Sequence, residues 1–334
     1  MSKTILVTGG AGFCGVNFVY YLLKKYPDYR IICADGILFT SSKHSLDEAM
    51  SNPQFCFYEM NICDRIAVDK IFSAEKPDVV VNFAAESQTE RKSYNRDTKV
   101  FLHTNILGTQ TLLDACREYG CEHFHQASTG SVYGNLSEKS DGIPYTEDAP
   151  VYSANPYSAS KASADILALS YCCTFNLPVT ISRCTDVYGQ YQFPNKSIPL
   201  LITSCLNDQR ISVSESGDIV HNLLHVSDLC RAIDLIIHKG KVGEIYNVSG
   251  TGMETNSDIG KLICRAAGKA DDLVNFSSDS NNTANGICLD ATKIRNDLGW
   301  QPETELEDGV TATVEWYRYH RRWWEEIISG MYRD

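Results

Sequence analysis

A strand, a glycine-rich turn and a helix in immediate succession constrain this chain more than any other feature in it. Lys3-Thr4-Ile5-Leu6-Val7-Thr8 is apolar and β-branched, the make-up of a buried strand. It runs straight into Gly9-Gly10-Ala11-Gly12-Phe13-Cys14-Gly15, and from there into the helical run Val16–Lys25. In that context the spaced glycines have separate tasks. The first permits a tight turn, the second lets the backbone approach a pyrophosphate, and the third lets helix and strand pack closely. The helix N-terminus adds free N–H groups and the positive end of its dipole. A second apolar run, Ile31-Ile32-Cys33-Ala34, ends at Asp35, 20 residues after Gly15. A carboxylate there accepts hydrogen bonds from an adenosine ribose and repels a 2′-phosphate. The pattern therefore predicts NAD rather than NADP, held by Gly9, Gly12, Phe13, Cys14, Gly15 and Asp35.

Strand-like and helix-like runs then alternate. Phe55–Met60, Val79–Phe83, His123–Ala127 and Val179–Arg183 read as strands. Ile66–Glu75, Asn105–Tyr119 and Tyr157–Phe175 read as helices, with a short helix at Ser45–Ser51. Alternation of this kind predicts an α/β fold, a doubly wound parallel sheet with ligands at the carboxyl ends of its strands. The strand ends carry Asn61-Ile62, within reach of an adenine, and Ala84-Ala85-Glu86-Ser87, small enough to let a cofactor pass. Asn61, Ile62, Ala84, Ala85 and Ser87 thus join the expected cofactor site. The second half is less regular. It offers a helix at Leu200–Asn207, a strand at Glu244–Val248, a polar stretch at 277–286 and a closing helix at Thr311–Tyr319, which predict a smaller C-terminal lobe.

The bulk composition excludes several classes. Hydrophobic residues make up 43% and charged residues 22%, as in a soluble globular protein. A formal net charge of −12 argues against non-specific nucleic-acid binding, and the one basic run, His320-Arg321-Arg322, is too short to reverse that. The first strand begins at once, so no secretory leader is expected, and no apolar run approaches the ~18 residues of a membrane span. The 13 cysteines are odd in number and scattered, with no Cys-x-x-Cys. They read as free thiols of a cytoplasmic protein, and no metal site is expected.

Tyr157-Ser158-Ala159-Ser160-Lys161 places a tyrosine and a lysine on one helical face. A phenol near pKa 10 is a poor base at neutral pH. An ammonium one turn away, with the positive ring of oxidised NAD, favours phenolate. Thr129, at the end of the fifth strand, is placed to hold a substrate hydroxyl. Such a trio takes a proton from an alcohol as hydride leaves for NAD, so Thr129, Tyr157 and Lys161 are the expected catalytic residues, the latter two also touching the cofactor.

The glycine motif together with Tyr157-x-x-x-Lys161 resembles the extended short-chain dehydrogenases/reductases, the NAD-dependent epimerase/dehydratase family. Further stretches resemble its dTDP-glucose 4,6-dehydratase branch: Asn82-Phe83-Ala84-Ala85-Glu86-Ser87, Thr104-Asn105-Ile106-Leu107-Gly108-Thr109, Asn155-Pro156-Tyr157, Tyr188-Gly189-Gln190-Tyr191-Gln192-Phe193-Pro194 and Leu298-Gly299-Trp300. The resemblance runs from residue 4 to about 317. It implies a Rossmann NAD-binding domain (residues 1–182 with about 222–262) and a substrate-binding domain (183–221 and 263–334). It also implies tightly held NAD, and a homodimer packed through the helices near 105–119 and 157–174.

The departures from that branch bear on the reaction. Its Asp-Glu pair after the fifth strand supplies the acid and base of dehydration; here Gly130 and Ser131 stand there. Each such group is typically worth ~10²–10⁴-fold. Its His appears as Gln88, followed by Thr89-Glu90-Arg91, and its Asn-Asn as Asp186-Val187. Its two diphosphate-binding arginines appear as His221 and, in Ser280-Asn281, as Ser280. Gln88, Gly130, Ser131, Asp186, Lys196 and His221 are thus the expected substrate residues. Thr-Gly-Ser-Val-Tyr-Gly also resembles the 4-epimerase pattern. The expectation is NAD-dependent oxidation at C4 of a nucleotide-activated sugar, with epimerisation or net redox favoured over dehydration. Two alternatives stand beside it. Asp186 or Glu90 replaces the missing acid or base, or the substrate lacks a diphosphate unless His221, Arg183, Lys196 or Arg210 compensates. The intact Tyr/Lys pair argues against a non-catalytic cofactor-binding scaffold.

Overall fold

The computed structural model describes residues 2–37, 40–87, 98–134, 143–214, 220–270, 273–277 and 287–331. Its organising layer is a seven-stranded sheet. The strands are β1 (Thr4–Thr8), β2 (Arg30–Asp35), β3 (Phe55–Glu59), β4 (Val79–Asn82), β5 (His123–Thr129), β6 (Val179–Cys184) and, much later in the chain, Ile245–Val248. That last strand (β10 below) lies beside β6, and the spatial order is β10-β6-β5-β4-β1-β2-β3. Every pairing in the sheet is parallel. The strand order reverses between β1 and β4, and the crevice outside such a switch point is where open α/β sheets bind ligands.

Because helices cover both faces, the strands alternate between two cores. Ile5, Val7, Ile31, Cys33, Val79 and Val81 face one, with α1 (Phe13–Lys25) and α6 (Val226–Lys239) against them. Leu6, Ile32, Val80, Phe124, Val179 and Ile181 face the other, covered by α2 (Arg65–Glu75), α3 (Thr109–Tyr119) and α4 (Pro156–Phe175). Helix α4 starts where it does because Asn155 caps it. The Ser158 N–H donates to Asn155 Oδ1 at 2.9 Å, and Pro156 occupies the first helical position. It ends at Asn176, in the left-handed region with φ 56°. The expected helix at Asn105–Tyr119 is α-helical only from Thr109. Leu102–Gly108 forms a π-helical turn, in which the Thr109 hydroxyl donates to the Asn105 carbonyl at 2.7 Å. The expected helix at Ser45–Ser51 is two 3₁₀ turns, Lys43–Leu46 and Ala49–Ser51.

The smaller lobe is built from short pieces. Strand β7 (Asp186–Tyr188) lies parallel to β9 (Val220–His225), which pairs antiparallel with β11 (Met253–Thr255). Strand β8 (Ile211–Ser214) pairs with β12 (Val274–Ser277). The lobe's core joins α5 (Ser197–Leu206), α7 (Asn256–Ala267), α9 (Leu306–Tyr319) and α10 (Arg321–Ser329) through Ile202, Ile263, Val314, Tyr317 and Trp324. A further helix, α8 (Thr292–Leu298), lies against β10. Helix α10 carries Arg321, Arg322, Glu325 and Glu326 as exposed i,i+4 ion pairs and buries only Trp324. Among the described residues no helix is long and apolar enough to cross a membrane.

Candidate active site

A cleft of about 460 Å³ lies along the carboxyl ends of the sheet strands. It is walled at one end by the glycine turn and at the other by the smaller lobe. Gly9 takes φ +67°, and a Cβ on Gly15 would stand 2.2 Å from the Gly9 carbonyl oxygen, so strand and helix touch backbone to backbone. A Cβ on Gly12 would meet only Gly9 O at 3.3 Å and Thr40 O at 3.8 Å. That glycine faces the cleft, and the cradle suits the backbone-close passage of a pyrophosphate. Phe13 and Cys14 line the same wall. Asp35 ends β2, buried. Its Oδ2 accepts the Ala11 N–H at 3.0 Å and its Oδ1 the Ile37 N–H at 2.8 Å. Burial pushes its carboxyl up, while those hydrogen bonds and ones from Ser41 and Gly12 pull it down. The carboxylate is thereby fixed at the position where a ribose diol would meet it.

Asn61, Ile62, Ala84, Ala85 and Ser87 line the cleft between these ends. The segment after β4 is pinned by Asn105, a residue whose part the sequence pattern does not announce. Asn105 Oδ1 accepts the Glu86 N–H at 2.7 Å, and its amide donates to Glu86 O at 3.0 Å and to Ser160 Oγ at 2.8 Å. The advance signals are its place in the family-like stretch 104–109 and an amide among the apolar positions of a helical run. Cys184, Asn256, Gln192 and Phe193 also line the cleft without having been expected there.

Thr129, Tyr157 and Lys161 come together on the cleft wall. The Lys161 ammonium donates to the Ala127 carbonyl at 2.7 Å, which fixes it beneath the end of β5. Burial lowers Lys161, and burial raises Tyr157, with Cys184, Cys14, Asp165 and Asp186 adding to the rise. The expected lowering of the phenol is thus not supplied by the protein's own groups. The ammonium one turn away is itself desolvated and committed to a carbonyl.

Gly130 and Ser131 are not among the residues lining the cleft, contrary to the sequence expectation. A Cβ at Gly130 would sit 2.8 Å from Ile287 Cγ2 and 3.0 Å from Leu289 Cδ1, so the position is filled by that segment. Ser131 turns back on Thr129, the two hydroxyls 2.6 Å apart. Asp186, Lys196 and His221 do line the cleft. His221 Nδ1 lies 3.0 Å from Asp186 Oδ2, and Lys196 Nζ lies 3.4 Å from Ser87 Oγ. Arg183 does not reach the cleft. It is tied at 2.9 Å to Asp165, with the two side chains 4% and 0% exposed. Arg210 is exposed just before β8 and lines no part of the cleft. Gln88, Glu90, Ser280 and Asn281 lie outside the described residues. Among the described residues no cluster of three or more His, Cys, Asp or Glu is placed to hold a metal ion.

The family described as GDP-mannose 4,6 dehydratase matches residues 6–313. A dTDP-glucose 4,6-dehydratase from Neisseria meningitidis serogroup B is 36% identical, over 99% of this chain and 98% of its own. The crystal structure of dTDP-glucose 4,6-dehydratase from Bacillus anthracis in complex with NAD superimposes with a TM-score of 0.89. It is 36% identical and covers 98% of this chain and 100% of its own. UDP-glucose 4-epimerase from Thermotoga maritima, solved with UDP-glucose, gives a TM-score of 0.85 at 28% identity, covering 95% of this chain and 99% of its own. With a match along nearly the whole chain and the same overall fold, this chain belongs to the GDP-mannose 4,6-dehydratase family of NAD-dependent sugar-nucleotide dehydratases and epimerases.

Proposed function

We propose that this chain uses NAD to oxidise the C4 hydroxyl of a nucleotide-activated sugar transiently, and that epimerisation or net redox follows rather than loss of water. The cofactor, when bound, supplies the hydride acceptor and donor. The chain supplies the rest. Thr129 orients the substrate hydroxyl, Tyr157 takes and returns its proton, and Lys161 holds positive charge beneath them. The cofactor lies along Gly9, Gly12, Phe13, Cys14 and Gly15, with its ribose on Asp35 and its flank along Asn61, Ile62, Ala84, Ala85 and Ser87.

The observation that carries the preference against dehydration is the packing at Gly130. Gly130 carries no acid, and the side-chain ends of Ile287 and Leu289 come within 2.8 to 3.1 Å of where its Cβ would be. Without an acid at the leaving hydroxyl, elimination loses a contribution of roughly 10²–10⁴-fold, whereas hydride exchange is untouched. Incubation with UDP- and dTDP-hexoses should produce the absorbance of reduced nicotinamide and a C4 epimer or keto sugar. Rapid formation of a 4-keto-6-deoxy sugar would overturn the preference. That outcome belongs to a second reading, in which Asp186, on the wall of the same cleft, performs the missing proton transfer. In that case Asp186→Asn would abolish the keto-deoxy product.

The same proposal includes a cytoplasmic homodimer. Leu102 and Leu107 on the π-helical turn are 53% and 50% exposed, and Ile166 on α4 is 62% exposed, an apolar set on the two helices expected to form the interface. The double variant Leu107→Glu, Ile166→Glu should weaken self-association by at least ~10-fold in sedimentation velocity. An unchanged sedimentation profile would move the interface elsewhere.

A further inference from the structure

The far wall of the cleft carries its own charge arrangement. Asp186 opens β7, His221 lies on β9, Lys196 precedes α5, and Asn256 opens α7; all four line the cleft. The His221–Asp186 contact of 3.0 Å ties two neighbouring strands of the small sheet together, with the imidazole 23% and the carboxylate 52% exposed. Burial by itself would lower His221. The hydrogen bond and charge of Asp186, with a hydrogen bond to Asn256, outweigh it, and the net direction is upward. Two other charged groups face this region among the described residues. Glu254 stands opposite His221 in the β9–β11 register, and Lys196 shares the cleft. Asp258, in the first turn of α7, is occupied by Thr255 Oγ1 at 2.6 Å.

This end of the cleft therefore holds two cationic groups, Lys196, whose ammonium burial pulls down, and His221, whose charge Asp186 sustains. Ser197 and Asn256, the first residues of α5 and α7, line the same wall, so two helix N-termini also favour an anion there. We infer that His221 and Lys196 jointly grip the substrate's phosphate, and that Asp186 makes the grip proton-dependent, tight while His221 is an imidazolium and loosened as it becomes neutral. The inference rests on the reading of the substrate as a nucleotide sugar. Asp186 has two effects on the grip. It keeps the ring charged to higher pH, and it offsets part of that charge, so the site is less cationic than an unpaired arginine would make it.

The test is calorimetric titration of the full chain, carrying Tyr157→Phe to prevent turnover, with UDP-glucose and dTDP-glucose. Both have a diphosphate esterified at each end, so the phosphates do not titrate in the range used. Between about pH 6 and pH 9 the dissociation constant should rise ~10-fold or more, the loss of one hydrogen bond to a charged group. Adding His221→Arg should remove the inflection that belongs to the imidazole, leaving only the loss of Lys196 charge on the alkaline side. Adding Asp186→Asn should shift the inflection to lower pH. A dissociation constant flat across the range, an imidazole inflection that survives His221→Arg, one that Asp186→Asn leaves unmoved, or no binding of either ligand at any pH would each overturn the inference. Failure of the underlying functional reading looks different: nucleotide sugars bind, yet none reduces the cofactor in the unmodified chain.

Discussion

Tyr157→Phe is expected to slow reduction of the cofactor by a nucleotide sugar by about 10²–10⁴-fold while changing substrate affinity little. The phenyl ring keeps the packing against Phe101, whose ring centroid lies 6.1 Å away, and the substitution removes only the proton-transferring oxygen. The pH dependence has a definite sign. In the proposed role Tyr157 takes the alcohol's proton as phenolate, and burial holds its phenol above the ordinary value. The rate of the oxidative half-reaction should therefore rise with pH across the neutral range, until the phenol is deprotonated in the bound complex. The opposing half-reaction, which uses the phenol as acid, should not fall until higher pH. Stopped-flow absorbance of reduced nicotinamide measures both. A Tyr157→Phe variant that retained half the rate would remove this tyrosine from the proton-transfer role.

The parts of this protein that depend on near neighbours in the chain are legible in its sequence. The glycine turn, Asp35 and the Tyr157/Lys161 spacing each fall within one strand-turn-helix unit or one helical turn, and each lies on the cleft. The seven parallel strands are legible for a related reason. Strands buried on both faces, such as Val79–Asn82, read as continuous apolar runs. The smaller lobe is not legible in the same way. Strands β7 and β11 are three residues long, and β7 pairs with β9 37 positions further on, so no local period marks them. Helix α10 is legible only in part, its Trp323 and Trp324 followed at helical spacing by Ile327 and Ile328 among i,i+4 charge pairs. The His221–Asp186 contact joins two short strands and has no local sequence signature. The expectation that Gly130 and Ser131 touch substrate transfers a place from a resemblance. No local pattern reveals that the side chains of Ile287 and Leu289, more than 150 positions away, pack against Gly130.

Arg183→Met is expected to cost about 3–5 kcal/mol of folding stability. The reason is what it leaves behind. Asp165 lies one turn beyond Lys161 on α4, fully buried, and the Arg183 guanidinium on β6 is its partner at 2.9 Å. That guanidinium also lies over the Tyr133 ring at 4.8 Å. The Tyr133 hydroxyl donates to Asn247 Oδ1 at 3.1 Å, so the pair joins α4, the end of β5, β6 and β10 around the catalytic helix. Removing the guanidinium takes away the largest counter-charge of a buried carboxylate, leaving only the more weakly acting Lys161 ammonium and Ser128 hydroxyl. Removing both charges leaves no such carboxylate: Asp165→Leu with Arg183→Met should recover most of the loss, since an apolar pair of similar volume is close to neutral. The single variant's deficit should also shrink as pH falls. Its carboxyl, buried without the guanidinium, would titrate above the unfolded-state value. The penalty is therefore full above that raised value and disappears once Asp165 is protonated in both states. Urea unfolding of the four members of the cycle at two pH values measures all of this. If the single variant unfolds at the wild-type midpoint, the pair does not hold these elements together. If the double variant is no better than the single, the guanidinium's packing on Tyr133, and not its charge, is what Arg183 contributes.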